Sequence, residues 1–457
     1  MHDVEHDKPW TWEVKRLASL GGPVALTQLG TMLLGVVDMA MLGRVGVREL
    51  DAASLGNVWI FGTLIFGLGL IFGLDPILTQ AHGAGDRRRV GLALQRGVII
   101  ALLASVPLAV MWLWTGSALA LADQEAGLCA LAGTYVRLQI PSIPFFLVFN
   151  VLRQYLQAQG RVAPGLWVVV GGNVFNVVAN WALIFGHLGF APMGLEGAAI
   201  ASASTRVLLL LGLWAWTVGF GLHRSSWVPW SRAAWSARGL AEVLRHGVPV
   251  SLQYGLEMWA FQIATLMAGT LGERPLAAHS IVLNLASLSF MVPLGVSIGA
   301  AVRIGNLLGA GFPRVARRAA TIALALGGAV MVVSAVGFVL FRTALPSLYT
   351  TDAAVIAAAA AVLPIAAIFQ VFDGVQVVGG GVLRGDGNTV PAAVFNFVGY
   401  YLLAIPFAYL LAFQLGLGLA GIWWGLALGL AIVATCLSVF IALRGPGRGR
   451  PHAGHDG

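Results

Sequence analysis

The chain has 457 residues, of which 58% are hydrophobic and only 10% are charged, whereas soluble proteins carry roughly 25% charged residues. This composition excludes an ordinary soluble fold and favours a protein that lies within a lipid bilayer. Both lysines, Lys8 and Lys15, precede the first apolar segment, which excludes a Walker A loop and a Schiff-base lysine within the membrane.

Residues 1–16 lack the basic and then apolar order of a cleaved signal peptide, and we expect them to form a short cytoplasmic tail. Beyond them, apolar stretches of about 20 residues, the length that crosses a bilayer, recur to the end of the chain. They predict an all-α integral membrane protein with twelve transmembrane helices. The predicted spans are 17–39, 52–78, 92–116, 131–156, 165–186, 196–220, 244–269, 277–302, 316–341, 357–383, 391–413 and 418–443.

Positive charge is distributed unevenly over the connections between these spans. The odd-numbered connections hold Arg44, Arg48, Arg274 and Arg342. The tails and the even-numbered connections hold a larger set, which is Lys8, Lys15, Arg16, Arg87, Arg88, Arg89, Arg161, Arg224, Arg232, Arg238, Arg314, Arg317, Arg318, Arg444, Arg448 and Arg450. Because cytoplasmic loops are rich in Lys and Arg, we expect both termini to be cytoplasmic. The same rule accounts for the net charge of +8 without a nucleic-acid partner.

The two halves of the chain repeat each other. Pro23 has a counterpart 226 residues later in Pro249, and Gly83-Ala84-Gly85 has one at the same spacing in Gly309-Ala310-Gly311. We infer a duplication of six helices. Six crossings return the chain to its starting side, so both halves insert the same way up, as in transporters whose substrate path lies between two parallel repeats.

The repeat sets the expected boundaries. We predict an N-terminal six-helix half at 17–220, a cytoplasmic linker at 221–243, a C-terminal six-helix half at 244–443 and a cytoplasmic tail at 444–457. Within the linker, the Trp-rich and Arg-bearing stretch 223–239 predicts an interfacial helix on the membrane surface.

Asp38 lies near the outer end of the first span and is either an interfacial acid or part of a cation site. Its candidate partners are Ser202 in the sixth span and Asn173, Asn176 and Asn180, which share one face of the fifth helix. A carboxylate, amide oxygens and a hydroxyl suit a hard monovalent cation such as Na⁺. Alternatively, the asparagine stripe forms hydrogen bonds between helices.

Glu257 and Asp373 lie deep in the seventh and tenth spans, where a charge costs about 2.5–3.5 kcal/mol. They either bridge helices or form a pair that exchanges a proton or a cation.

Asp75 and Arg303 end the second and eighth spans and carry opposite charges. They either form a gate ion pair or snorkel to the interface. Other residues either line a cavity for aromatic or cationic ligands or simply pack between helices: Trp259, Phe261, Gln262, Asn284, Phe290 and Phe369.

Three segments resemble the multidrug and toxic compound extrusion (MATE) family in its bacterial NorM-like branch. They are Gln157 to Arg161, Val302 to Gly311 and Gly381 to Gly387, and the resemblance extends over roughly residues 15–440. It implies twelve helices in two six-helix halves, and the extrusion of organic cations and drugs against an inward flow of Na⁺ or H⁺. The family's second-half acids correspond to Glu257 and Asp373.

The resemblance also implies a first-half cation site at Asp38, Asn176, Asn180 and Ser202, which is able to hold Na⁺. The chain departs from the family at two positions. Relatives can carry Tyr where this chain has Phe369, so any role of that hydroxyl is absent. The archaeal branch carries Asp at the position of Asn180, so the first-half site is less acidic here, which leaves the coupling ion open between H⁺ and Na⁺.

Two other classes of function compete with a multidrug exporter. A flippase for lipids or lipid-linked precursors has a related architecture, but the deep acids favour cationic substrates. An integral membrane enzyme would need a motif such as His-Glu-x-x-His or Gly-x-Ser-x-Gly, which the sequence lacks, and Cys129 and Cys436 have no zinc spacing. We therefore expect a monomeric exporter of the cell inner membrane, without catalytic residues and without a cofactor beyond its coupling ion.

Overall fold

The computed structural model describes residues 9–121 and 124–447. Lys8, Arg448 and Arg450 of the charge analysis lie outside these residues. The described chain forms twelve long helices and contains no strand. The helices are α1 (Trp10–Leu42), α2 (Val47–Gly83), α3 (Arg87–Leu113), α4 (Ala126–Ala158), α5 (Ala163–Phe185), α6 (Gly194–Gly219), α7 (Ala237–Thr270), α8 (Glu273–Gly309), α9 (Pro313–Leu340), α10 (Ala353–Asp386), α11 (Val390–Gln414) and α12 (Gly418–Arg444). Two short helices, Thr115–Ala120 and Ala344–Ser347, lie in connections.

The helices have the length and the surface of transmembrane segments. Within the described residues, eleven of them are long and apolar enough to cross a membrane. The twelfth, α7, has 34 residues and carries Glu242, Arg245 and His246 in its first turns. Large apolar side chains such as Leu103 and Val333 are exposed on the helix surfaces, where lipid rather than water can solvate them. The prediction of an all-α integral membrane protein is confirmed.

Each predicted span coincides with one helix, but several helices begin earlier than predicted. α1 begins at Trp10, within the expected tail, and α7 begins at Ala237, within the expected linker. Hydropathy detects the apolar part of a helix and not the amphipathic turns that precede it. These early turns pack against protein, since Glu13 and Val243 are both buried.

The Trp-rich linker does not form the predicted interfacial helix. Before α7 it contains a single 3₁₀ turn, Arg232–Trp235. Pro229 lacks a backbone N–H and disfavours helical geometry at the residue before it, which explains why a longer helix does not form. The indole rings of Trp227 and Trp230 are nevertheless exposed, as expected for side chains at a membrane interface.

Two of the helices contain irregular segments. A 3₁₀ turn, Ile140–Ser142, divides α4, and α11 contains two π-helical segments, Val398–Ala404 and Leu410–Gln414. π-Helical turns occur frequently at functional sites. The first of these segments carries Tyr400, which lies beside the second-half acids.

The chain divides into two compact units. The N-terminal unit comprises Leu26–Leu78 and Asp86–Ser251, and the C-terminal unit comprises the described residues up to Ala25, the segment Thr79–Gly85 and the residues from Leu252 onward. α1 therefore contributes its first turns to the C-terminal unit, and α7 contributes its first turns to the N-terminal unit. The two helices change units after Ala25 and Ser251, which are equivalent positions of the 226-residue repeat.

Each unit holds these first turns through a contact between glycines. In the C-terminal unit, a Cβ at Gly295 would lie 2.5 Å from the carbonyl oxygen of Gly21. In the N-terminal unit, Gly73 and Gly247 approach each other as closely. Small residues allow helix backbones to pack at such short range. Gly21 and Gly247 are repeat equivalents.

Candidate cation sites

The first site is built around Asp38, which is 4% exposed and lies about one turn before the end of α1. The Nδ2 atoms of Asn180 and Asn176 donate to Asp38 Oδ1 at 2.6 and 3.2 Å. The hydroxyl of Ser202 donates to Asp38 Oδ2 in a short hydrogen bond. The structure thus brings all four predicted residues together within the N-terminal unit.

The spacing of the asparagines explains this shell. Asn176 and Asn180 are one turn apart on α5, so both reach the same carboxylate. Nδ2 of Asn180 also donates to Oδ1 of Asn176 at 3.2 Å. Asn173 is not part of the shell, because its Nδ2 donates to the carbonyl oxygens of Gly30 and Val169, each at 2.9 Å. It braces α5 against α1.

The amides present their nitrogens to Asp38 and not their oxygens. The three donors together satisfy an ionised carboxylate. Oδ1 of Asn180 is buried and has no hydrogen-bond partner among the described residues. A bound cation would instead need oxygen ligands, and rotation of the Asn180 carboxamide would supply one from within the existing shell.

Sequence analysis missed two groups that act on this site. Arg206 of α6 and Tyr135 of α4 both interact electrostatically with Asp38. An arginine in the middle of the predicted span 196–220 was itself a signal, since charges at membrane depth are rare.

The second site is built around Glu257 of α7, in the C-terminal unit. Its Oε2 atom accepts hydrogen bonds from Gln376 Nε2 and Asn396 Nδ2, each at 3.1 Å. Gln376 Nε2 also donates to Asn396 Oδ1 at 3.2 Å. Both amide side chains are completely buried. Sequence analysis found Glu257 but neither amide, because single amides within helices carry no distinguishing pattern.

Asp373 lies near Glu257 without bonding to it. The two residues interact electrostatically, and Asp373 precedes Gln376 by three residues on the same face of α10. Its Oδ1 atom is buried and has no hydrogen-bond partner among the described residues. Tyr400 lies close enough for both acids to act on its hydroxyl. The C-terminal unit therefore holds two neighbouring carboxylates, of which one accepts hydrogen bonds from two amides at a single oxygen.

The residues predicted to line a substrate cavity have diverse surroundings. Phe369 is 2% exposed, and its ring packs edge to face against Phe261 and Trp423 at centroid distances of 5.9 and 5.7 Å. Trp259 is 38% exposed. Oδ1 of Asn284 accepts a hydrogen bond of 2.8 Å from the hydroxyl of Tyr349. Gln262 and Phe290 are partly buried.

Arg303 forms a buried ion pair with a residue of the predicted tail. Its Nε and Nη2 atoms donate to the two carboxylate oxygens of Glu13 at 2.8 and 3.1 Å, and its guanidinium lies 5.1 Å from the ring centroid of Trp12. All three residues belong to the C-terminal unit. Asp75, the other residue of the expected gate, is buried in the N-terminal unit.

Arginines as well as acids are buried within the transmembrane helices. Arg153 is buried in α4, and its Nη1 and Nη2 atoms donate to Gln28 Oε1 at 3.1 Å and Asn150 Oδ1 at 2.7 Å. Arg384 is buried in α10 and donates to the hydroxyl of Tyr254 at 2.6 Å. These arginines are held by polar side chains inside the units.

Comparison with known proteins agrees with the architecture. The model of the MatE family matches residues 23–182 and again residues 249–410, and the two matches begin at the repeated prolines Pro23 and Pro249. The chain is 36% identical over 444 residues to a probable multidrug resistance protein NorM of Mesorhizobium japonicum, covering 94% of this chain and 93% of that protein. It is 33% identical over 432 residues to mouse multidrug and toxin extrusion protein 1, covering 94% of this chain and 75% of the relative.

Solved structures have the same fold. The eukaryotic MATE transporter AtDTX14 superposes with a TM-score of 0.88 at 26% sequence identity, covering 95% of this chain and 96% of that one. A multidrug resistance MATE transporter in an outward-facing conformation superposes with a TM-score of 0.84 at 20% identity, covering 94% and 96% of the two chains.

Proposed function

Because the chain belongs to the MatE family of membrane transporters, we propose that it exports small organic compounds, often cationic, in exchange for an inward flow of H⁺ or Na⁺. The relatives are named for multidrug resistance and toxin extrusion. Family membership makes the chain a multi-pass transporter and not an enzyme, and members of the family need no cofactor. The exchange operates by alternating access.

The observation that carries this proposal is a pair of buried carboxylates with amide shells. Asp38 in one unit and Glu257 in the other each accept hydrogen bonds from two carboxamides. Neither carboxylate has an arginine or lysine within salt-bridge distance among the described residues. Buried acids within transmembrane helices mark proton and ion pathways.

The sites have defined roles in this mechanism. Entry of H⁺ or Na⁺ neutralises the carboxylate, which weakens its attraction for a cationic substrate. Asp373 supplies a second carboxyl group near Glu257, so the C-terminal unit exchanges a cation at the pair rather than at a single acid. Coupling between ion and substrate is reciprocal, so each changes the affinity for the other by the same factor.

The donors around Asp38 favour H⁺ over Na⁺ at the first site. A protonated Asp38 can donate to Ser202 once that hydroxyl rotates, which leaves the amides in place. Na⁺ would require the carboxamide of Asn180 or Asn176 to turn its oxygen inward, and these amides also bond to each other and to Thr205. Proton loading therefore needs the smaller rearrangement.

The charge distribution supports a cytoplasmic position for both termini. We further propose that the transporter acts as a monomer in the cell inner membrane.

The experiment that tests the function is efflux of ethidium from proteoliposomes under a pH gradient or a Na⁺ gradient, applied one at a time. Efflux that follows either gradient supports the exchange. Efflux that follows neither contradicts it.

The competing lipid flippase is tested in the same vesicles. A flippase for anionic headgroups would need positive charge that reaches its substrate. Arg153 and Arg384 are instead buried inside the units and bonded to protein side chains. Arg206 donates to the hydroxyl of Ser142 within the N-terminal unit. Translocation of a fluorescent anionic phospholipid, without ethidium efflux, would favour the flippase.

A further inference from the structure

A charged residue that the exchange mechanism leaves unexplained lies at the centre of a transmembrane helix. Arg206 lies about midway along α6, which extends from Gly194 to Gly219. A cation at that depth costs about 2.5–3.5 kcal/mol on insertion scales. Charged residues at this depth are rare, and those that occur are usually paired with another group or have a function.

The immediate surroundings of Arg206 are aromatic. Its guanidinium carbon lies 5.8 Å from the ring centroid of Trp112 and 5.6 Å from that of Phe146, within the range of a cation–π interaction. Nη1 donates to the hydroxyl of Ser142 at 3.2 Å. No carboxylate lies within 4.0 Å of the guanidinium among the residues that the structure describes. The charge is held in place without being neutralised.

The acid that acts on this charge is Asp38. Arg206 follows Ser202 by one turn on α6, and Ser202 donates to the Asp38 carboxylate, so both side chains extend from one face of the helix. Tyr135 of α4 is the other titratable group that acts on Asp38. The remaining neighbours of the carboxylate, Asn176 and Asn180, are neutral amides.

A fixed cation near a carboxylate competes with any mobile cation for the same negative charge, and the low dielectric of the interior strengthens that competition. We propose that Arg206 is a positioning residue of the first site: its charge weakens the hold of Asp38 on the coupling ion and so allows the ion to be released. This proposal rests on the proposed function, because it requires that Asp38 bind the coupling ion.

The test measures ion binding apart from transport. Purified protein is loaded with ethidium, and the Na⁺ concentration and the pH at which half of the dye is released are recorded. Arg206→Gln removes the charge, and we expect half-release at a cation concentration lower by on the order of tenfold. Arg206→Lys keeps the charge and should stay near the wild-type value. In proteoliposomes, Arg206→Gln should also lower the maximal rate, because ion release is slower.

A matched control separates the effect of charge from a general loss of packing. Arg153 is also a buried arginine of the N-terminal unit, it also lies near an aromatic ring, and its hydrogen bonds go to amides. Arg153→Gln should leave the half-release values unchanged. An equal shift in both Gln variants, or no shift in Arg206→Gln, would overturn the proposal. If Arg206→Gln does not accumulate, Arg206→Met replaces it, since an apolar side chain inserts readily.

Asp38→Asn distinguishes failure of this inference from failure of the proposed function. If Asp38→Asn removes part of the ion response and Arg206→Gln has no further effect in that background, the two residues act on one site as proposed. If Asp38→Asn removes the response but Arg206→Gln alone changes nothing, only the inference fails. If Asp38→Asn leaves the ion response intact, the first site itself is wrong and the inference falls with it.

Discussion

Asn180 donates its amide Nδ2 to Oδ1 of Asp38 at 2.6 Å, while its own Oδ1 is buried without a hydrogen-bond partner among the described residues. The first cation site thus contains one acid, Asp38, in contact with the amide of Asn180, which has the same shape as an aspartate. Replacement of this one side chain by aspartate would give the site a second carboxylate.

Asn180→Asp should increase the Na⁺ dependence of export. Two carboxylates in hydrogen-bond range cannot both ionise unless a cation lies between them, and the new oxygens are ligands that Na⁺ prefers. We expect the Na⁺ concentration for half-maximal efflux to fall by about tenfold, a typical coupling magnitude. The control is Asn173→Asp. Asn173 lies one turn before Asn176 and two turns before Asn180 on the same helix, but it bonds to backbone carbonyls and not to Asp38. An unchanged Na⁺ dependence in Asn180→Asp would contradict the proposed ligand set.

The first site could be predicted from sequence because its parts have a local signature. Asn176 and Asn180 repeat at helical spacing, and Asp38 interrupts an apolar span. The partners of Glu257 have no such signature, since Gln376 and Asn396 lie 119 and 139 residues farther along the chain and each is a single amide in an apolar helix. Only the packing of α7, α10 and α11 brings them to one oxygen.

Hydropathy predicted the helix segments that face lipid. It did not predict the segments that pack against protein. Apolar spans predicted every long helix, but Glu13 was assigned to a tail because its surroundings in sequence are polar. In the structure it is buried against Arg303. The Trp-rich linker failed for the opposite reason, because composition indicated an interfacial helix while Pro229 prevented one.

Removal of the Glu13 charge should destabilise the C-terminal unit. The Glu13–Arg303 pair is buried on both sides, and breaking a buried pair costs about 3–5 kcal/mol. Glu13→Gln should therefore lower the Tm of the purified protein by several degrees. Glu125→Gln is the control, because Glu125 pairs with Arg48 at the surface. The side chain of Glu125 is 71% exposed and that of Arg48 is 60% exposed, and exposed ion pairs contribute little to stability. Equal Tm values for the two variants would contradict this role.

The topology predicts opposite accessibility for two exposed loop positions. Trp230 lies in the linker before α7, and Phe190 lies in the connection between α5 and α6; both side chains are more than half exposed. In a background without Cys129 and Cys436, a membrane-impermeant maleimide added to intact spheroplasts should label Phe190→Cys and not Trp230→Cys. Both should react after permeabilisation. The reverse pattern would place the termini outside.

Gln376→Leu should impair the second site more than the same change elsewhere on α10. Its Nε2 atom donates to Glu257, and a hydrogen bond to a charged group is worth about 1.5–3 kcal/mol. We expect the half-maximal ion concentration for efflux to change by about tenfold or more. Gln370→Leu is the control, since Gln370 is equally buried on the same helix but accepts from Ser334. Similar ion dependence in the two variants would remove Gln376 from the site.

Replacement of either second-half acid by its amide should separate folding from transport. If Glu257 and Asp373 only joined helices, amides would serve almost as well, because an amide also forms hydrogen bonds. If they exchange a cation or a proton for substrate, an amide fails, because it carries no charge. We therefore expect Glu257→Gln and Asp373→Asn to reach the membrane in normal amounts and to export poorly. Ethidium binding in both variants should lose most of its dependence on pH or Na⁺, as reciprocity requires. Wild-type efflux in both variants at matched expression would reduce the two acids to structural residues.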